Sequence, residues 1–208
     1  MRALLPAAFA AALAAVACNS GPSAPVDPQD YVKRITEARA VKDKTFREEP
    51  EPIPVNKRDT LLPLRYFAPD PAYSVPAELK LANERPVFEM PTSTGKLRRM
   101  ERVGVLEFTL QGQPLSLAAF VEEGQPLEVL FVPFADLTTG KETYPAGRYL
   151  EIHPTSTGFY NVDFNAAFNP TCAYNPTYDC PYPPPSNRLK VEIKAGEKAP
   201  AGEKAPAA

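Results

Sequence analysis

The chain has 208 residues, including 26 prolines and no tryptophan, and its formal net charge is −2. Because it carries neither a basic stripe nor an acidic block, its charge pattern excludes a nucleic-acid-binding surface and a solvating acidic tail. The length fits one domain with tails, and hydrophobic residues make up 44% of the chain, enough for a globular core. The high proline content is typical of a compact, loop-rich protein outside the cytoplasm, because proline lowers the entropy of the unfolded chain.

The N-terminus predicts export. Residues 1–17 have the form of a signal peptide, with Arg2 as the positive end and Ala3–Val16 as an apolar run too short to span a membrane. Cys18 follows small residues directly, which resembles the bacterial lipobox, where a lipidated cysteine becomes the mature N-terminus. The alternative is ordinary secretory cleavage that leaves a free thiol. Residues 18–27 then form a flexible tether. We predict a lipid-anchored protein of the bacterial cell envelope, on the extracytoplasmic side of the outer or the cytoplasmic membrane.

One amphipathic helix is predicted at the start of the folded domain, over residues 28–45. Asp27 is a suitable N-cap, and Pro28 suits the first helical position. Apolar residues then recur at helical spacing: Tyr31, Ile35, Ala38 and Val41. Several prolines follow and interrupt regular structure, with a short strand expected at 64–67.

From residue 77 onward the apolar period changes to two, which predicts β-strands. The predicted strands cover 77–82, 86–90, 98–110, 115–121, 127–134, 148–152, 160–164 and 189–195. Glycine-containing turns at 111–113 and 122–125 join three consecutive strands into an antiparallel meander. The longest strand should place two apolar pairs on opposite faces: Phe108 with Leu110, and Val103 with Val105.

This pattern predicts a mainly β fold. We expect an antiparallel β-sandwich or a partly closed β-barrel of about seven to eight strands, preceded by one N-terminal α-helix. A single domain should cover residues 28–198, with the sheet core at 64–195. The C-terminal sequence AGEKAPAGEKAPAA repeats one hexamer and lacks large apolar residues. Disorder is therefore predicted there, with residues 199–208 as a free tail. The strand before it should face inward with Leu189, Val191 and Ile193.

The stretch from Asp163 to Leu189 is rich in asparagine, tyrosine and proline. Neither a helix nor a central strand tolerates so many prolines. We therefore predict an ordered but irregular segment that is pinned to the sheet.

Three sequence motifs carry a resemblance to a known family. They are FADLTTGKETYPAGRYLEI at Phe134–Ile152, the segment Asp163–Leu189, and KAGEK near the C-terminus. In order and spacing they resemble the bacterial family called domain of unknown function 1684, over about residues 61–198. That family has no established activity, so the resemblance implies a shared fold and a shared surface.

Polar residues in these motifs are the candidate site. One hypothesis brings Asp136, Arg148 and Asp163 together at one end of the barrel, with an Arg148–carboxylate pair holding the loop of Asn165 and Asn169. The alternative is that these residues are loop chemistry between strands. Asparagines in long irregular loops usually bond backbone groups, which favours a structural role for them.

Cys172 and Cys180 enclose a loop of seven residues, CAYNPTYDC. In an oxidising compartment this spacing predicts a disulfide. A zinc pair fits poorly, because His153 is the one histidine in the chain. The spacing also differs from that of a redox-active pair.

These residues favour a non-catalytic binding or structural module, and we predict no cofactor. Tyr174, Tyr178 and Tyr182 beside the proline run could offer flat faces to a cell-wall glycan, a peptide or an envelope protein, or could instead cover the core. The rival is an envelope hydrolase for glycans or esters that uses Asp136, Arg148 and Asp163. An open cleft with two carboxylates about 5–9 Å apart would favour the hydrolase. A sealed arginine ion pair would favour the module.

The last candidate is a bound cation. The oxygen-rich residues that could hold calcium are Asp136, Asp163, Asn165, Asn169 and Asp179. Since they lack the regular spacing of a calcium loop, no metal site is predicted.

Overall fold

The structure, a computed structural model, describes residues 27–153, 155 and 159–202. The predicted signal peptide, the lipidation site Cys18 and the tether up to residue 26 lie outside the described residues, as does the C-terminus from 203 onward. Within the described part of the chain, no helix combines the length and apolar character needed to cross a membrane.

The predicted N-terminal helix is confirmed as α1, Pro28–Glu48. Asp27 caps it, accepting a 2.7 Å hydrogen bond from the Gln29 amide, and Pro28 occupies the first turn. A second, four-residue helix, α2, covers Arg58–Leu61. Short 3-10 turns lie at Val55–Lys57, Pro71–Tyr73, Phe164–Ala166, Thr171–Ala173 and Pro185–Asn187.

Seven strands within the described residues form one antiparallel sheet. They are β1 Ser74–Leu81, β2 Val87–Pro91, β3 Leu97–Leu110, β4 Gln113–Glu122, β5 Leu130–Phe134, β6 Arg148–Ile152 and β7 Tyr160–Asp163. The order is β6-β5-β4-β3-β1-β7, with β2 pairing β3 off this path. Beyond β7, Phe168 pairs with Tyr149 of β6, so the two ends of the sheet approach each other. The mainly β, nearly closed barrel with an N-terminal helix confirms the predicted fold class.

A bulge in β3 changes which residues face the core. The register against β4 shifts between Arg102 and Gly104. The shift places Val103 in the main core with Phe108, so the prediction that these two residues face opposite sides is wrong. Gly104 also permits close strand approach, because a Cβ there would lie 2.3 Å from the Lys80 carbonyl oxygen.

Both faces of the central strands are covered. The inner face carries the main core, whose members with no exposed area include Leu106, Leu117, Val132 and Phe164. The outer face carries a smaller cluster of Met90, Met100, Ala118 and Phe120. The segment after β7 crosses this outer face: Pro181 pairs with Thr92, and the Tyr182 amide donates to the Pro91 carbonyl. The prediction of an irregular segment packed on the sheet is confirmed.

Two predicted strands are absent from the described chain. At 64–67 only one bridge forms, between Tyr66 and Glu197. Residues 189–195 are irregular, although Leu189 and Ile193 are buried as expected. The backbone there bonds to a loop instead of a strand, because the Leu189 amide donates to Ala135 and the Val191 carbonyl accepts from Leu137.

The first copy of the repeated hexamer, residues 195–200, is ordered. Ala195 is fully buried, and Glu197 is 1% exposed. Gly196 has φ of +76°, and a Cβ there would lie 2.6 Å from the carbonyl oxygens of both Phe164 and Ala167. The prediction of disorder is therefore wrong for this copy. The low apolar content misled it, because this segment is held by hydrogen bonds and close backbone packing.

Candidate functional site

Arg148 and Asp136 form a sealed ion pair. Arg148 opens β6 and Asp136 lies just after β5, so the pairing of these two strands brings them together. The Arg148 Nη2 atom donates to Asp136 Oδ2 at 2.9 Å, and the two side chains are 1% and 0% exposed. Burial lowers the pKa of Arg148, and the Asp136 carboxylate opposes that shift.

The remaining hydrogen bonds of this pair bind the C-terminal segment. Arg148 also donates to the carbonyl oxygens of Ile193, Ala195 and Glu197. The Asp136 Oδ1 atom accepts from the Thr138 amide at 2.8 Å, from the Thr138 hydroxyl at 2.6 Å and from the Ile193 amide at 3.2 Å. Hydrogen bonds from the pair therefore hold the C-terminal segment, in place of the neighbouring strand that residues 189–195 lack.

Asp163 and Asn165 form a second cluster, which fastens helix α1 to the barrel. The Tyr31 hydroxyl donates to Asp163 Oδ1 at 2.7 Å and accepts from Asn165 Nδ2 at 2.8 Å. Asn165 also accepts from the Asp70 amide and donates to the Asp70 carbonyl. Burial, followed by the bond to Asp163, raises the pKa of Tyr31. These hydrogen bonds join helix α1, the turn at Asp70 and the segment after β7.

Asn169 and Tyr174 belong to a third cluster, centred on the buried Glu197. The Glu197 Oε2 atom accepts a hydrogen bond from the Tyr174 hydroxyl at 2.6 Å and another from the backbone amide of Asn169 at 2.8 Å. Its other oxygen pairs with Lys42 of α1 at 2.6 Å. Burial and this carboxylate raise the pKa of Tyr174. Sequence reasoning missed Glu197 and Lys42. The resemblance motif KAGEK was the one signal that pointed to Glu197.

The three clusters have different partners and do not assemble one open site. Asp136 is buried against Arg148, whereas Asp163 bonds to Tyr31 and Asn165. Among the residues that the structure describes, no group of three or more His, Cys, Asp or Glu side chains is placed to hold a metal ion. The candidate residues therefore form buried polar contacts that hold loops, the helix and the C-terminal segment to the sheet.

The predicted disulfide between Cys172 and Cys180 is wrong. Both residues are buried free thiols in the structure. The Cys172 amide donates to the Cys180 sulfur at 3.1 Å, and the Thr171 hydroxyl lies 3.5 Å from it. A hydrogen bond between the thiols lowers the pKa of Cys180 and raises that of Cys172.

Hydrogen bonds fix the cysteine loop without a covalent link. The Ser93 hydroxyl accepts from the Cys180 amide at 3.0 Å, and the Thr94 hydroxyl donates to Asp179 at 2.5 Å. Bonds from Thr92 and Thr94 lower the pKa of Asp179, and Arg98 lies 3.4 Å from its carboxylate. The turn between β2 and β3 therefore positions this loop.

The three tyrosines of this segment differ in how far they are exposed. Tyr174 is 2% exposed and covers the core, which is the second of the two roles expected for these rings. Tyr178 is half-buried, and its hydroxyl donates to Glu51 at 2.6 Å. Tyr182 is 40% exposed beside the proline run. Tyr182 is therefore the most accessible of the three rings.

Asn187 is another residue that sequence reasoning missed. It has no exposed area, and its side chain bonds the amide and carbonyl of Ala118 and the carbonyl of Pro133. These contacts bridge β4 and β5, which share only one paired residue in regular register, Phe120 with Phe131. Asn187 therefore completes the sheet where its ladder is weakest.

An open groove lies where the cysteine loop meets the outer face of the sheet. We call it the acidic groove and define it by Arg98, Glu122, Glu128, Phe131, Glu151, Phe168, Asp179 and Cys180. Its volume is about 440 Å³. Arg98 is paired with Asp179, while Glu122, Glu128 and Glu151 are exposed. The groove thus combines free carboxylates with an aromatic floor, on which the Phe131 ring packs edge-on against Tyr149 at 4.7 Å.

Comparison with known proteins gives the family but no activity. Residues 60–198 match the family described as "Protein of unknown function (DUF1684)", and the chain belongs to that family. An uncharacterized protein of Haloarcula marismortui, solved by NMR in solution, is 38% identical with a TM-score of 0.65. The match covers 82% of this chain and 95% of that one. A comparison with curated proteins finds no match.

Proposed function

We propose that this protein is a lipid-anchored, non-catalytic module of the bacterial cell envelope that binds a cell-wall glycan in the acidic groove. The observation that carries the proposal is the sealed Arg148–Asp136 pair. Because both side chains are buried and bonded to each other, these two motif residues have a structural role and are not available to a ligand. The acidic groove, which is open and lies on the outer face of the sheet, is then a place for a ligand. Cys18 after the signal peptide supplies the membrane attachment.

The chemistry of the acidic groove suits a polyhydroxylated ligand. Glu122, Glu128 and Glu151 can accept hydrogen bonds from hydroxyl or ammonium groups, and charged acceptors form the stronger bonds. The Phe131 and Phe168 rings offer apolar area for the carbon–hydrogen face of a sugar ring. Because the Asp179 carboxylate already neutralises Arg98, the groove favours neutral or cationic groups over acidic ones.

A hydrolase that uses Asp136, Arg148 and Asp163 is the weaker candidate. Such an enzyme needs an exposed acid and base that flank one scissile bond. Asp136 is 8% exposed as a residue and saturated with donors, and Asp163 is engaged by Tyr31. No contact among the described residues joins these two carboxylates in a cleft, so the arrangement supports a binding module better.

The test is co-sedimentation of the chain from residue 19 onward with insoluble cell wall. The double variant Glu128→Gln, Glu151→Gln should reduce the bound fraction about tenfold, because two charge-assisted acceptors are lost. Glu123→Gln is the matched control: this exposed glutamate pairs with Arg99 and does not line the acidic groove. Fatty-acid labelling of the full chain should disappear in Cys18→Ser. Equal sedimentation of both variants, or release of soluble wall fragments by the protein, contradicts the proposal.

A further inference from the structure

A second groove lies beside the proline run at residues 183–185. We call it the proline groove. Strands β2, β3 and β4 form its floor with Phe88, Met90, Arg102 and Phe120. The run from Tyr182 to Ser186, followed by Arg188, forms its wall. The volume is about 580 Å³, within the range of small-molecule sites in proteins, roughly 300–1,000 Å³.

The walls of the proline groove are apolar and conformationally restricted. Proline rings fix the backbone at Pro183, Pro184 and Pro185, so this wall loses little entropy when a ligand binds. Phe88 is 42% exposed and packs edge-on against Phe120 at 6.3 Å between ring centroids. An exposed phenylalanine in a preformed concave site is suited to stacking against a flat apolar group.

Two arginines give the proline groove its charge. The Arg102 guanidinium lies 5.5 Å from the centroid of the Phe88 ring, and its Nε atom is buried without a hydrogen-bond partner. Neither Arg102 nor Arg188 forms an ion pair within the part of the chain that the structure describes. One exposed carboxylate, Glu89, also lines the groove. The lining therefore carries a net positive charge.

We propose that the proline groove binds a small organic carboxylate with a flat apolar body, such as an aryl acid. The guanidinium group is planar and matches a carboxylate through two parallel hydrogen bonds. Arg188 is exposed and Arg102 is half-buried, so their guanidinium groups can receive the carboxylate, and the apolar body would cover Phe88 and Tyr182. This site is separate from the acidic groove, which lacks an unpaired arginine, so either site can fail without the other.

The experiment is an NMR titration of the chain from residue 19 onward with 2-naphthoate and with its neutral analogue 2-naphthamide. Amides of Phe88, Arg102 and Tyr182 should shift with 2-naphthoate, and the Kd for 2-naphthamide should be about tenfold higher, since the charged partner of the arginines is lost. Added salt should weaken the binding of 2-naphthoate and leave the binding of 2-naphthamide nearly unchanged.

Variants locate the site. Arg102→Gln and Arg188→Gln should each raise the Kd for 2-naphthoate about tenfold. Arg188 is exposed, so its variant keeps the fold even if Arg102→Gln does not. Arg99→Gln is the control, because Arg99 lies on β3 but outside the proline groove. No titration shift at millimolar 2-naphthoate, equal affinity for both compounds, or equal losses in Arg188→Gln and Arg99→Gln would overturn the proposal.

Discussion

At the residue scale, Arg148 has more structural consequences than any other charged side chain described above. It joins Asp136 to the carbonyl oxygens of Ile193, Ala195 and Glu197 in the C-terminal segment. The sequence allows two roles for Arg148, a catalytic residue or a residue that holds a loop, and the structure shows the loop-holding role. The two terminal nitrogens of its planar guanidinium make four hydrogen bonds, whereas a lysine ammonium has three donors.

Arg148→Met should therefore destabilise the protein by about 3–5 kcal/mol, because it leaves the Asp136 charge buried and unpaired. The free energy of unfolding from urea titration checks this value. Arg99→Met is the matched control: its pair with Glu123 is exposed and screened by solvent, so the free energy of unfolding should hardly change. Equal losses in the two variants would mean that the buried pair does not stabilise the fold.

At the scale of elements, helix α1 is held to the barrel mainly by polar contacts. Its apolar contacts come from the buried Tyr31 and Ile35 and from Phe46, whose ring packs edge-on against Tyr174. Tyr31 bonds to Asp163 and Asn165, Arg39 donates to the carbonyls of Phe67 and Asn165, and Lys42 reaches Glu197. The helix thus covers the segment that follows β7.

Tyr31→Phe tests this attachment. It removes the hydroxyl that links Asp163 to Asn165 and leaves the ring in place, so we expect a loss of about 1–2 kcal/mol. Hydrogen exchange of α1 amides should accelerate more than exchange in β4, because the helix opens locally. Lys33→Met, on the exposed face of the same helix, should leave both rates unchanged. Uniform acceleration across helix and sheet would show that α1 does not open independently.

At the scale of the whole molecule, several buried tyrosines couple the fold to high pH. Burial raises the pKa of Tyr66, Tyr149 and Tyr174 well above the ordinary value. In the unfolded chain these groups ionise near pH ~10. Above that pH the folded state therefore retains protons that the unfolded state releases. The stabilisation is complete below about pH 10 and is lost as the pH rises towards the folded-state pKa values.

The free energy of unfolding should accordingly fall as the pH rises above about 10, by up to ~1.4 kcal/mol per pH unit for each such tyrosine. Denaturant titrations between neutral pH and about pH 11 measure the slope. Tyr174→Phe should remove the contribution of one tyrosine to the slope of unfolding free energy against pH. Tyr182→Phe, which changes an exposed ring, should reproduce the parent slope. If Tyr174→Phe has the parent slope as well, the buried hydroxyl is not the origin of the alkaline loss.

Local patterns predicted much of the architecture. The capped helix, the strands of the meander and the irregular segment after β7 all follow from spacing, capping and proline positions, which act between near neighbours. The face of Val103 was misassigned because a single bulge shifts the period of two. The residue types of the candidate site can be predicted from the sequence motifs. The way they group into three clusters cannot, because each cluster joins segments distant in the chain.

The sequence by itself determined the helix, the antiparallel strands and the placement of proline in an irregular segment, because those depend on local backbone preferences. Only the tertiary structure decided which charges are buried together. Lys42 and Glu197 are 155 positions apart, and no local pattern encodes that pairing. The hexamer AGEKAP illustrates the difference: its first copy is ordered because Arg148, Tyr174 and Lys42 bind it, and these partners lie elsewhere in the chain. Long-range contacts between polar groups, whose desolvation must be compensated, are settled by the assembled barrel.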